Sequence, residues 1–150
     1  MEYKLISPWF VVFKRVRVKD KKYAVNLNGY RNWKPIVSNL IKIQYKEIMR
    51  DQIEKLPPLG KIKISFKVFK PSKRRLDKGN VISVTTKFFL DALVELGKLE
   101  DDNDDYVKDE HTYPTEYDKN NGRVEITITT LTQADESREN LFTTIRSDSA

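Results

Sequence analysis

The 150-residue chain has no cysteine and a single histidine, His111. Without thiols there is no disulfide and no thiolate metal centre, which fits a cytosolic setting. One histidine excludes zinc sites built on two or more imidazoles, and a Ser-His-Asp triad would have to use His111 itself. A metal held by this chain is therefore held mainly by oxygen, which points to magnesium, manganese or calcium. No apolar run approaches the ~18 residues of a membrane span, so no membrane partner is expected. The opening MEYKLISPWF carries an early acid and no sustained apolar stretch, so no secretory signal is expected either. Internal repeats and low-complexity tracts are also missing.

What the chain does have is charge, unevenly spread. The net charge is +6, but residues 1–75 hold 20 Lys and Arg against 5 Asp and Glu, while residues 76–150 hold 8 against 17. A strongly basic half beside an acidic feature suggests a surface that meets a polyanion. The same charge also serves solubility, so it does not identify the polyanion.

Hydrophobic periodicity supplies the elements. Trp9–Val18 begins apolar and continues as the alternation Lys14-Arg15-Val16-Arg17-Val18, which reads as a strand returning through Tyr23–Leu27 as a hairpin. Asn28-Gly29 reads as a break, followed by a helix over about Arg31–Lys55 with a stripe of Val37, Leu40, Ile41, Tyr45 and Ile48. Lys42, Lys46 and Arg50 lie four apart on another face of it. Lys61–Phe69 alternates with Ile62, Ile64, Phe66 and Val68 inward. A second helix over about Asn80–Leu96 buries Ile82, Phe89, Leu93 and Leu96, with Gly97 suited to its C-cap. Tyr106–Pro114 and Arg123–Leu131 complete the strands. The order predicts an α+β domain over residues 1–131, a mixed β-sheet packed by two main helices, with a polar tail over 132–150. Trp9, Trp33, Phe66 and Phe89 are expected in the core, and His111 in a structural or surface role.

The segment Lys73–Val107 carries the chemistry. A basic cluster, Lys73-Arg74-Arg75, precedes Asp77. The helix then places Asn80, Ser83, Lys87 and Asp91 within one ~80° arc, and the acidic run Asp101-Asp102 follows it. Two or three carboxylates can hold magnesium ions that offset phosphorane charge and activate water, and a lysine nearby stabilises developing charge. The termini of a ~25 Å helix meet only if the next strand folds back along it. Read more plainly, the acidic run is a solvated turn and Lys87 pairs with Asp91 one turn on. An EF-hand reading from Asp101 fails, because Tyr106 stands where glycine belongs and Thr112 where the bidentate glutamate belongs.

These residues resemble the RusA-like Holliday junction resolvases of bacteriophages and prophages. The matching pieces are Arg74-Arg75, Asp77-Lys78-Gly79-Asn80, Lys87, Asp91-Ala92-Leu93, Gly97 and Asp101-Asp102, and from Asp91 to Asp102 the spacing matches without a gap. The resemblance implies a homodimeric, magnesium-dependent (or manganese-dependent) endonuclease that cuts four-way DNA junctions in the cytoplasm of a bacterial host. It implies Asp77, Lys87 and Asp102 as the catalytic set and Asp77, Asp101 and Asp102 as metal ligands. Lys73, Arg74, Arg75 and Asn80 are then the expected DNA contacts. Two departures stand out. Gly79 replaces the motif's second aspartate, with Asp104 or Asp105 as candidate substitutes, and four extra residues separate Asn80 from Lys87. Four residues turn a helix only ~40° beyond a full turn, so Lys87 keeps its face. Loss of the ligand at position 79 leaves a second expectation open, a branched-DNA-binding protein of the same fold without catalysis.

Overall fold

The computed structural model describes residues 1–132; the tail expected over 132–150 lies, beyond Thr132, outside the described residues. In chain order the elements are β1 (Glu2–Pro8), β2 (Phe10–Phe13), β3 (Lys21–Ala24), α1 (Leu27–Asn32), α2 (Pro35–Glu54), β4 (Ile62–Lys70), α3 (Lys78–Glu95), β5 (Val107–Thr112), β6 (Glu116–Tyr117) and β7 (Arg123–Thr130). The expected α+β architecture holds: one mixed sheet runs β1-β7-β4-β5, with β6 pairing the far end of β4. β7 is antiparallel to both β1 and β4, while β5 is parallel to β4, so α3 is the crossover of a β4–α3–β5 unit.

Alternation in β4 and β7 works as the sequence implied. Ile62, Ile64, Phe66 and Val68 of β4 and Val124, Ile126 and Ile128 of β7 form the floor of a single core. Both long helices pack on that face. α2 contributes Ile41, Tyr45, Met49 and Ile53, and α3 contributes Val81, Val84, Phe88, Phe89 and Leu93 among others. The buried stripe of α2 is therefore rotated from the expected one, and Leu40 and Ile48 are exposed. Apolar residues occur around most of α2, so spacing alone did not select the buried side.

Four local expectations need correction. β1 was not expected; its residues Leu5 and Ser7 point into the core, where Ser7 Oγ lies 2.6 Å from the Tyr45 hydroxyl. The free edge of β1 is bonded by Gln52, whose amide accepts from the Ile6 N–H at 2.7 Å and donates to the Ile6 carbonyl at 2.9 Å. The hairpin strands are shorter than the sequence implied, because residues 14–20 form an exposed connection with Arg17 in the left-handed region (φ 69°). Asn28 and Gly29 do not break the chain but lie inside α1. There the Asn26 side chain caps the helix by accepting from the Gly29 N–H at 2.9 Å. Finally, the single long helix is two. Pro35 holds Lys34 in an extended conformation (φ −64°, ψ 150°) between α1 and α2.

Gly122, just before β7, occupies a crowded point: an added Cβ would lie 2.9 Å from Trp9 Cγ and 2.9 Å from Pro71 Cδ. The root of the β2–β3 hairpin and the root of the β4–α3 loop therefore meet at one end of the sheet.

Candidate nucleic-acid interface

Asp77 is the N-cap of α3, and its carboxylate accepts from the Gly79 N–H at 3.0 Å. Capping by a carboxylate satisfies an otherwise orphaned donor and complements the positive end of the helix. Gly79 sits against this carboxylate, its missing Cβ position being 3.2 Å from Asp77 Oδ1. Lys78 donates to the Tyr113 carbonyl at 3.3 Å, which ties this end of α3 to the chain leaving β5. Asn80 closes the first turn, its N–H donating to the Asp77 carbonyl at 3.1 Å. Ahead of the cap, Lys73, Arg74 and Arg75 are all exposed. The loop that carries them is pinned by Lys70, which donates to the Arg74 carbonyl at 3.1 Å, and by Lys73, which lies over the Tyr117 ring.

The other expected carboxylates lie at the opposite end of the helix. Leu96 caps α3, and Asp101 and Asp102 follow in the loop before β5. Asp101 accepts from the Asp102 N–H at 2.7 Å and from the Asn103 amide at 3.1 Å, which folds the loop tightly. Partial burial pushes the Asp102 carboxyl up, and the Asp101 carboxyl hydrogen-bonded to it and the charge of Asp91 add to the effect. Asp102 therefore clusters with Asp91 and Asp101, not with Asp77. Asp91 and Asp77 are fourteen residues apart on one helix, roughly 21 Å along its axis. Although β5 does return alongside α3, it does so after the acidic loop, so the return does not bring Asp101 or Asp102 to Asp77. Among the described residues no group of three or more His, Asp or Glu side chains is arranged to hold a metal ion. The ligand set Asp77, Asp101 and Asp102 thus does not fit a single centre within one chain.

Lys87 sits between these ends on the exposed side of α3. It does not pair with Asp91: its ammonium donates to the Tyr30 hydroxyl at 2.8 Å and lies 5.0 Å from the Tyr30 ring centroid. Asp91 is instead held by Lys42 of α2 at 2.9 Å, and Glu95 by Lys46 at 2.9 Å. The bond to Asp91 holds the Lys42 ammonium above its ordinary pKa, and the bond from Lys46 holds the Glu95 carboxyl below its own. Lys42 and Lys87 also line a shallow cleft with Tyr30, Trp33, Ser38 and Phe88, where the Trp33 and Phe88 rings stack at 6.4 Å. Sequence spacing found Lys42 and Lys46 on one face of α2 but gave no sign of Tyr30, whose contact with Lys87 spans 57 residues.

Phe66 and Phe89 are buried, and Trp9 and Trp33 pack against the core. His111 is exposed on β5, edge-on to Tyr113 at 4.6 Å. Asp104 and Asp105 are exposed in the acidic loop and do not approach the position of Gly79. Among the described residues no helix is long and apolar enough to cross a membrane. The fold defines an α+β domain with cationic loops at one end and an acidic loop at the other. No protein-family model and no curated protein matches the chain.

Proposed function

We propose that the chain is a branched-DNA-binding protein of the junction-resolvase type, acting as a homodimer on four-way junctions in bacteriophage recombination or repair, in the cytoplasm of a bacterial host. The observation that carries this reading is the division of charge along α3. Exposed Lys73, Arg74 and Arg75 stand with Asn80 at the N-terminal end, outnumbering the capping carboxylate of Asp77, and the clustered carboxylates of the acidic loop stand roughly 20 Å away. A phosphate backbone lying on the basic end meets neither the acidic loop nor its repulsion. Because Asp77 is used as a cap and is remote from Asp102, no hydrolytic step is assigned to the two together.

One observation favours a second reading, magnesium- or manganese-dependent cleavage. Asp101 accepts from the Asp102 N–H at 2.7 Å, so two carboxylates adjoin in one tight loop; burial first, and then the neighbouring Asp101 and Asp91, push the Asp102 carboxyl up, and a divalent cation relieves the like-charge part of that strain. Asp101 and Asp102 would hold that ion, whose chemistry would be to polarise a phosphate oxygen and activate water. Incubation with a synthetic four-way junction, with and without Mg²⁺ or Mn²⁺, separates the readings. Metal-independent binding without cutting supports the first. Metal-dependent cutting that Asp102→Asn abolishes while binding persists supports the second. Neither binding nor cutting, across several junction sequences, refutes both.

A further inference from the structure

We propose that the tip of the β2–β3 hairpin, the 14–20 connection with the first two residues of β3, is a DNA-backbone contact separate from the α3 end. The proposal rests on the branched-DNA reading above and adds an element that neither the α3 motif nor the acidic loop contains.

All nine tip residues are exposed, and six of them are Lys or Arg against the single carboxylate of Asp20. Arg15 and Asp20 build the tip. The Arg15 guanidinium donates twice to the Lys19 carbonyl, at 2.9 and 2.6 Å, and its backbone N–H donates to Asp20 at 3.3 Å. That leaves Lys14, Arg17 and Lys19 with no hydrogen-bond or ion-pair partner for their side-chain charges among the described residues. Lys21 and Lys22, next along the chain, lie over the Tyr23 and Phe10 rings with their charges still open to solvent.

Three physical points turn this cluster into a contact. First, unlike the helix-surface cations Lys42, Lys46 and Arg50, which are spent on carboxylates, the charges of Lys14, Arg17 and Lys19 are engaged by no carboxylate among the described residues. Second, Arg17 adopts φ 69°, a conformation that a side chain of its kind rarely takes, and it is held there by the Arg15 bonds. A tip already closed by its own bonds loses little further freedom when it meets a ligand. Third, the hairpin root at Trp9 and the root of the Lys73–Arg75 loop at Pro71 meet at Gly122. Two separate basic elements thus leave the same end of the sheet, as a polyanion spanning more than one loop requires.

Val16 and Val18, 87% and 58% exposed, bring in one competitor, an anionic membrane. Two valines supply too little apolar area for stable insertion, and the charge predominates, so duplex DNA is the favoured partner.

The test uses the full chain and a fluorescent four-way junction. Each lost phosphate contact lowers the slope of log Kobs against log salt by about 0.9. Combining Lys14→Gln, Arg17→Gln and Lys19→Gln is therefore expected to lower the slope by about 2–3 and to weaken binding about tenfold or more at 100 mM salt. The control combines Lys55→Gln, Lys98→Gln and Lys108→Gln, which remove equal charge at the end of the sheet where β4 begins, and is expected to bind nearly as the parent does. Because the chain has no cysteine, Val16→Cys gives a single thiol, and a photocrosslinker attached there is expected to couple to the junction. This second arm does not depend on the folding of the triple variant.

If the parent binds the junction but the tip variant binds equally well and Val16→Cys does not couple, the tip proposal is overturned and the branched-DNA reading stands. Equal loss in the control variant also overturns it, since net charge alone would then explain the effect. If the parent binds no DNA, the underlying reading is what fails. Tip-dependent binding to phosphatidylserine vesicles without DNA binding overturns the proposal in favour of a membrane contact.

Discussion

Ser7 and Tyr45 join the edge strand β1 to the middle of α2 through one buried contact, and a double-mutant cycle on them measures that joint. Both residues are 0% exposed and their hydroxyls are 2.6 Å apart, so each is the other's partner. Tyr45→Phe keeps the ring that packs on Phe88 at 5.5 Å but strands the Ser7 hydroxyl in the core. An unsatisfied buried hydroxyl costs about 1–3 kcal/mol, and Ser7→Ala strands the Tyr45 hydroxyl at a similar cost. The double variant strands neither, so the two single costs exceed its cost by about 1 kcal/mol or more. Urea unfolding measures all four proteins, with unchanged m-values expected because the exposed surface hardly changes. Burial also pushes the Tyr45 phenol above its ordinary value, an effect only partly offset by Ser7. Above about pH 10 the unfolded chain releases this proton while the folded chain keeps it, so stability falls as pH rises. In Tyr45→Phe that alkaline loss is smaller. Near-zero single effects that simply add, or an unchanged alkaline slope, would refute the buried pairing.

Other outcomes follow from individual sites. Thr85, 0% exposed, has an Oγ1 without a hydrogen-bond partner among the described residues, so Thr85→Val is expected to stabilise by about 1 kcal/mol, read as a higher urea midpoint. Gly122→Ala drives a methyl to 2.9 Å from both Trp9 and Pro71 and should cost about 1–3 kcal/mol in the same assay. The raised Asp102 carboxyl binds its proton more tightly in the folded chain, so it adds stability at low pH that is lost as pH rises through its folded value. Asp102→Asn is therefore expected to raise the urea midpoint relative to the parent at pH 7 and to lose that advantage near pH 3. An equal midpoint difference at both pH values would refute the upward shift of the Asp102 carboxyl.

Much of the fold was legible because β4 and β7 alternate cleanly and because α3 carries one continuous apolar side. The α1–α2 division was less so: Pro35 reads equally well as the first turn of a longer helix, and only the Asn26 cap reveals that a separate short helix precedes it. The tip Lys14–Val18 alternates as a strand does, but pairing ends at Phe13, where Arg15 and Asp20 bond the chain into a loop. At the candidate site, helical geometry correctly kept Lys87 and Asp91 on one side of α3. Sequence spacing did not reveal that Tyr30 and Lys42 would take these two side chains, because those contacts depend on how α1 and α2 pack on α3.

The most direct test is a salt titration of the parent protein against a four-way junction and a linear duplex of the same sequence, followed by fluorescence anisotropy without metal. The account predicts tighter binding to the junction and a linear fall of log Kobs with log salt, steep enough for several phosphate contacts. Equal affinity for the two DNAs, or no binding at low salt, would contradict it.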